Sequence, residues 1–400
     1  MSNPPVSLSS HQPLKVINVA VGVIYYKEQY LLGFRNKTQH QGDRYEFVGG
    51  KIESTETALQ ALTREIAEEI GIDVTSNSAV RVGRLRHDYG DKQVCLQVFK
   101  IQLTAEQYQL QRHCVQGLEK QALTWVSQED LLSNKYRLPA ANQTILSWLQ
   151  LSSVVAITHP LDFFKPVYKD DNKPLQAAWL DYHLRRIAPD GWTYIRLKSE
   201  ALTDHQRIAT EANITLQLLS RRADIRGIVP YKLRFALSDG LEGKPLDKVT
   251  MSAYHLTQNE LIRWYTEYNN DCSNPQRIKQ GVAEVDYYLL QDLLTSSDYS
   301  TIPLIISCHD QQSINAANQL AALRIEKSLA PVIAVFLSPV LATKTHPHSQ
   351  PLGWEKWSDL AQYSEVPVIA LGGLKRSELD LATQHGAAAI AGIRNFLNNG

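Results

Sequence analysis

The chain has 400 residues, with 41 Lys plus Arg against 41 Asp plus Glu; 44% of it is hydrophobic and 20% charged. That is too long for one ordinary domain and apolar enough to bury real cores, which excludes global disorder. The balanced charge excludes a duplex-coating nucleic-acid binder, while leaving room for a local basic pocket that takes a phosphorylated small molecule.

In chain order, residues 1–14 are polar, contain Pro and Ser, and read as a flexible tail with no apolar signal region. The β-rich stretch 16–26, the polar turn 27–29 and the stretch 30–34 predict a hairpin. Residues 45–48 predict a short strand ending at Gly49-Gly50. Residues 57–70 hold good helix formers, with Ala58, Leu62 and Ile66 at i, i+4 and i+8 and Gly71 as a C-cap. Strands follow at 80–88, 94–103 and 122–126, then two helices to Leu151, so 15–151 predicts a domain with a mixed sheet and a few helices. From residue 152 to 400 short apolar runs (154–157, 193–197, 249–254, 304–307, 332–337, 366–371, 387–391) alternate with helical stretches. That rhythm and length predict a parallel (β/α)8 barrel, with 261–300 as an insertion. No apolar run reaches the roughly 18 residues of a membrane span. Cys95, Cys114, Cys272 and Cys308 are scattered, which predicts reduced thiols and a cytoplasmic protein.

The chemistry concentrates between Gly50 and Ile72, GKIESTETALQALTREIAEEIGI. Glu65, Glu68 and Glu69 are spaced i, i+3, i+4 and share one helical ridge. Like charges so placed repel, whereas Mg²⁺ or Mn²⁺ turns them into a hard oxygen-ligand site. Arg64 can hold one carboxylate by a bidentate contact, Glu56 suits a helix start, and Gly49-Gly50 lets the backbone approach a ligand. A solvated acidic face is the bland alternative. The full pattern Gly-x5-Glu-x7-Arg-Glu-U-x-Glu-Glu-x-Gly-U, with U apolar, has a chance frequency on the order of one in ten million for a chain of this length.

This pattern resembles the signature of the Nudix hydrolases, whose fold is a mixed sheet between helices in an α/β/α sandwich. The resemblance implies a hydrolase acting on acid anhydrides with Mg²⁺, or Mn²⁺ in its place. It makes Glu65, Glu68 and Glu69 metal ligands, one of them or a neighbour the activator of water, and Gly49 a carbonyl ligand. Gly50, Glu56, Arg64 and Gly71 become supports. The flanks are similar to the MutT-type, 8-oxo-dGTP diphosphatase branch. YEFVGGKIE carries Phe47, with Val48 departing from that branch's Pro; GLEKQALTWV carries Glu119 as a further metal ligand; LPAANQ carries Asn142 as reader of the oxidised purine; and Arg35 lies near substrate. An N-cap role for Asn142 and an exposed loop acid at Glu119 are the structural alternatives. The implied reaction is 8-oxo-dGTP plus water to 8-oxo-dGMP plus pyrophosphate, which sanitises the nucleotide pool in DNA repair.

The second half resembles thiamine-phosphate synthase and its TenI-like relatives, which are (β/α)8 barrels. Arg196 and Lys198, Ser307 in Ser-Cys-His, Thr343 and Thr345, and Gly373 and Gly392 in two Gly-rich loops match ligand-side positions for a phosphorylated thiazole or pyrimidine. The glycines also fit plain tight turns. His346 replaces the lysine of Thr-x-Thr-Lys, and the nearest candidate for the Asn-Asp metal motif is Ser238-Asp239. Alternatives for the whole chain are a Nudix enzyme acting on thiamine-pathway diphosphates, or a barrel that senses a phospho-ligand.

Overall fold

The computed structural model of the chain describes residues 16–38, 42–165, 175–197, 204–240, 251–273, 292–343 and 350–398. Val16–Tyr26 (β1) alternates its side chains between two faces, and a turn with Lys27 at φ 52° leads to Gln29–Arg35 (β2). The run expected as one strand is two, Arg44–Glu46 (β3) and Val48–Lys51 (β4), separated by the buried Phe47. Gly49 and Gly50 lie inside β4 rather than beyond a strand end, paired with Val21 and Ala20 of β1. Gly49 has φ 154°, and a Cβ there would stand 2.1 Å from the Ala20 carbonyl oxygen, so only glycine fits.

Ala58–Ile70 (α1) starts at Thr57, whose side chain and that of Gln60 form a capping box, and ends at Gly71 in the left-handed region. Ala79–Asp88 (β5), Gln93–Gln102 (β6), Ala105–Gln111 (α2), Ala122–Ser127 (β7), Gln128–Leu132 (α3) and Ala140–Leu149 (α4) complete the unit. The sheet runs β3-β2-β1-β6-β5, with β4 also on β1 and β7 on β2. β1 and β6 are parallel and the other pairs antiparallel, as a mixed sheet requires. Ala20 and Ile24 face α1 in one apolar cluster; Val21 and Val23 point the other way, into the cluster that holds α4.

The barrel alternates Val154–Ile157 (β8), Leu175–Arg186 (α5), Trp192–Tyr194 (β9), Asp204–Arg221 (α6), Arg226–Pro230 (β10), Arg234–Gly240 (α7), Met251–Leu256 (β11), Gln258–Ser273 (α8), Leu304–Cys308 (β12), Gln311–Glu326 (α9), Val332–Leu337 (β13), Gly353–Ala361 (α10), Val368–Leu371 (β14), Leu379–Gln384 (α11) and Ala389–Gly392 (β15). All eight strands are parallel and close from β15 to β8. Strand β10 was not among the expected ones: RGIVP places Arg, Gly and Pro around two apolar residues, too little for a period to show. The expected insertion at 261–300 is corrected in its first part, which is α8, the barrel's own helix after β11. Cys95, Cys114 and Cys308 are free thiols. No helix among the described residues is long and apolar enough to cross a membrane. One hydrophobic core runs without a break from α4 and β5 into the barrel.

Candidate active site

The capping box and the apolar stripe Ala61, Leu62, Ile66 and Ile70 fix which way α1 faces, and its acidic ridge follows. Arg64 organises that ridge. Its Nε and Nη2 donate to the two carboxylate oxygens of Glu56, at 3.2 and 2.8 Å, and Nη2 also reaches the Lys51 carbonyl. Its Nη1 donates to Glu65 at 2.9 Å and to Glu68 at 3.1 Å. Arg64 holds the Glu56 carboxyl below its usual range, and the carboxylates in turn raise the guanidinium. The fork thus serves as an internal counter-ion for a helix that would otherwise repel itself.

The three glutamates do not share one environment. Glu68 is 55% exposed and leans on Arg64. Glu65 lies flat on Gly50, where a Cβ would stand 2.1 Å from its carboxyl carbon. Glu69 is pushed up to about 8, first by burial and then by the charges of Glu46, Glu65 and Glu119, with Arg35 opposing. Glu119 comes into range because its loop caps the end of α1: the Glu69 carbonyl accepts from the Leu118 amide at 2.7 Å and from Gln121 Nε2 at 3.1 Å.

As placed, no group of three His, Cys, Asp or Glu side chains among the described residues stands ready to grip an ion. The donors nevertheless fit a hard dication. Burial and then the charges of Glu46, Glu65 and Glu119 raise Glu69, an acidic neighbourhood that a cation would relieve, and the bare Cα of Gly50 leaves the space in which Glu65 sits. A bound cation would relieve that field where Arg64 now neutralises only its outer part.

The cleft continues to residues that sequence reasoning missed. Glu46 pairs with Arg35 and is raised by burial, with Arg35 opposing. It is also the largest charge acting on Glu69. Tyr89, at the β5–β6 turn, bonds the backbone of Ala141 and feels Arg35, Arg44 and Glu46. Glu46 lies one residue before Phe47 in YEFVGGKIE, so its position was visible; no local signal announced Tyr89. Asn142 is buried in the first turn of α4, its backbone N–H donating to the Pro139 carbonyl. The N-cap is Pro139, so the capping alternative for Asn142 is corrected. Arg35 and Glu46 thus act on both Glu69 and Tyr89, and Tyr89 ties this neighbourhood to the backbone of α4 beside Asn142.

In the barrel, Arg196 follows β9, its backbone held by Thr158 and its buried Nε without a partner. Ser307 Oγ lies 2.8 Å from His255 Nε2, and the rings of Tyr194, His255 and Phe336 pack together inside the strand ends. Gly373 and Gly392 are glycine for a packing reason. A Cβ would meet the Ala342 carbonyl at 2.7 Å in one case and the Phe396 ring at 2.4 Å in the other. Thr343 ends the described part of the β13 loop; Lys198, Thr345, His346 and His348 lie outside the described residues. Ser238 and Asp239, the nearest candidate for the Asn-Asp motif, fall inside α7.

Residues 20–148 match the NUDIX domain family, and residues 305–396 match the thiamine monophosphate synthase family. An 8-oxo-dGTP diphosphatase of Proteus vulgaris is 40% identical over 88 residues, 22% of this chain and 77% of the relative. A CTP pyrophosphohydrolase of Escherichia coli is 32% identical over 133 residues, 33% of this chain and 90% of the relative. An 8-oxo-dGTP diphosphatase of Escherichia coli is 28% identical over 138 residues, 34% of this chain and 98% of the relative. With the carboxylate helix, the mixed sheet and the closed barrel, these matches place the chain in the Nudix family of hydrolases that act on acid anhydrides, its Nudix domain followed by a barrel of the thiamine monophosphate synthase type.

Proposed function

We propose that the Nudix domain, taken as residues 15–151, is a nucleoside triphosphate pyrophosphohydrolase that converts 8-oxo-dGTP and water to 8-oxo-dGMP and pyrophosphate, in the cytoplasm, as a step of nucleotide-pool sanitation. The observation that carries this reading is the charge environment that Glu69 shares with Glu46 and Arg35. Glu46 lies in the same field as Glu69 and in a pair with Arg35, and both act on Tyr89, which bonds the backbone beside Asn142; this supports reading the two ends as one site. When bound by Glu65, Glu68, Glu69 and Glu119 with the Gly49 carbonyl, Mg²⁺ or Mn²⁺ would neutralise the polyphosphate and lower the pKa of water.

The chain's own residues do the rest. Arg64 keeps Glu65 and Glu56 in place, and Gly50 gives Glu65 its seat. Glu69, raised by burial and then by its acidic neighbours, would give up its proton when a cation binds. The Asn142 amide both donates and accepts in one plane, which suits the edge of a purine whose N7 has become a donor on oxidation. Phe47 is buried beside Glu46 and shapes the floor. The barrel residues Arg196, Ser307 and Thr343, with Lys198 and Thr345, are proposed to face a phosphorylated thiazole or pyrimidine.

The test is pyrophosphate or phosphate release with Mg²⁺ from 8-oxo-dGTP, dGTP, CTP and thiamine diphosphate. The expected order puts 8-oxo-dGTP first, and Asn142→Ala lowers its advantage over dGTP at least about tenfold, a loss of ~1.4 kcal/mol. Preferred turnover of CTP or thiamine diphosphate, or an unchanged ratio in the variant, overturns the reading. In the same assay Gly50→Ala, whose methyl would occupy the Glu65 carboxylate, is expected to reduce kcat by about tenfold or more. An unimpaired variant would show that Glu65 has no fixed seat.

A further inference from the structure

The joint between the two domains is placed where it can act on the nucleotide. Helix α4 carries Asn142 in its first turn and has no side-chain cap there. Its last turn is fastened instead. The Trp148 indole N–H donates to the Val332 carbonyl at 3.1 Å in a fully buried bond, and the Trp192 indole N–H donates to the Gln150 carbonyl at 3.0 Å. Val332 and Trp192 are the first residues of β13 and β9, so both bonds lie on the barrel floor, at the strand N-termini.

The same floor grips β5. The strand bulges between Arg81 and Gly83, and a Cβ at Gly83 would stand 2.8 Å from both the Trp148 ring and the Glu365 carbonyl. The Arg84 amide donates to that carbonyl at 2.9 Å, its guanidinium pairs with the Glu365 carboxylate, and Arg81 Nη1 donates to the Gln362 carbonyl at 2.7 Å. Asn318 of α9 holds this loop at Tyr363 and Glu365. At its other end β5 leads to Tyr89, which bonds Ala141 beside Asn142. Helix α4 is thus fixed from both ends, by its Trp148 turn and through β5 and Tyr89. Trp148 and Asn142 are six residues apart, roughly 120° around the helix, so the side of α4 that enters the floor is not the side that carries Asn142. Helix α1 packs on the opposite sheet face in a separate cluster.

We propose that the barrel floor positions the purine-reading helix, with Trp148 and Trp192 as positioning residues for Asn142. This rests on the assignment of Asn142 to the base. The barrel then contributes to nucleotide choice through a face remote from its own strand C-termini, whatever binds there. The acidic machinery on α1 is untouched by the contact.

The test compares full-length wild type, Trp148→Phe, Trp192→Phe and Asn142→Ala for kcat and KM on 8-oxo-dGTP and dGTP with Mg²⁺. Phenylalanine keeps most of the ring volume and removes the N–H. The expected result is a rise of fivefold or more in KM for 8-oxo-dGTP in each Trp variant, a matching fall in preference over dGTP, and kcat for dGTP within twofold of wild type. Trp192→Phe, altered on the barrel side, carries the test if Trp148→Phe does not fold. An unchanged preference in Trp192→Phe, with Asn142→Ala still abolishing preference, overturns the positioning role alone. No effect of Asn142→Ala overturns the base assignment and the inference with it. An equal fall in kcat for both nucleotides marks a merely structural bond and also overturns it.

Discussion

Glu69→Gln is expected to lower kcat by roughly a hundred- to ten-thousand-fold while making the ion-free protein more stable. The two effects share a cause. Glu69 sits at about 8 against an ordinary 4.5, because burial and three neighbouring carboxylates resist its charge. The folded state therefore binds this proton more tightly than the unfolded chain. The associated stability is complete below pH 4.5 and is lost as pH rises towards 8. At pH 7 the loss amounts to about 3 kcal/mol, which an uncharged amide removes. Melting in EDTA and in Mg²⁺ reads both halves: the variant should melt a few degrees higher without metal and gain less from Mg²⁺ than wild type does. A variant with wild-type turnover would remove Glu69 from the chemistry. One that gains as much from Mg²⁺ as wild type would remove it from the ion.

The barrel is expected to weaken sharply as pH falls from 6.5 towards 4. Three buried histidines resist protonation. His159 is lowered to about 4 by burial and then by Arg394 and Arg186, His183 to about 3 by burial, and His255 to about 3 by burial and then Arg196. The bonding shows why at His183. The His159 amide donates to His183 Nε2 at 3.0 Å, so the ring proton sits on Nδ1 and donates to the Trp179 carbonyl at 2.7 Å. A second proton has no acceptor. The unfolded chain takes up these protons near 6.5 and the folded chain refuses them, so stability is complete above 6.5 and is lost on acidification. At pH 5 His183 and His255 each cost about 2 kcal/mol, and His159, more open to solvent screening, costs less. Urea midpoints between pH 7 and pH 5, with NMR of the imidazole protons, check this; assigned resonances of His159, His183 and His255 that titrate near 6.5 in the folded state would reject it.

Much of the site was legible because its chemistry is local in sequence. The i, i+3, i+4 spacing of Glu65, Glu68 and Glu69 follows from helical periodicity, and the Gly71 C-cap and the Arg64 fork were read from residue type and distance along one helix. What periodicity could not show was how the ridge divides. Arg64 holds Glu65 down on Gly50 and Glu68 at the surface, while Glu69 feels Glu46 and Glu119 on other segments. Tyr89 reaches the cleft only because β5 and β6 form a hairpin beside α4, a long-range fact with no local mark. In the barrel the alternation revealed seven of eight strands, and β10 escaped because Gly and Pro dilute its apolar run. Nothing in the Trp148 or Trp192 neighbourhoods distinguishes an indole that bonds a carbonyl across a domain joint from one that fills a core.

Strand β5 closes one side of its sheet, and the Arg84 amide on that border finds its acceptor in the loop before β14. A border strand left bare invites other chains to pair with it. Seen this way, the second domain acts as a shield: a released amino-terminal half would present both the bulged border and the Trp148 ring to water, a surface suited to clumping. Solubility of the hydrolase is thereby tied to possession of the barrel, a reason for the two to be kept as one polypeptide that is independent of any chemistry the barrel performs.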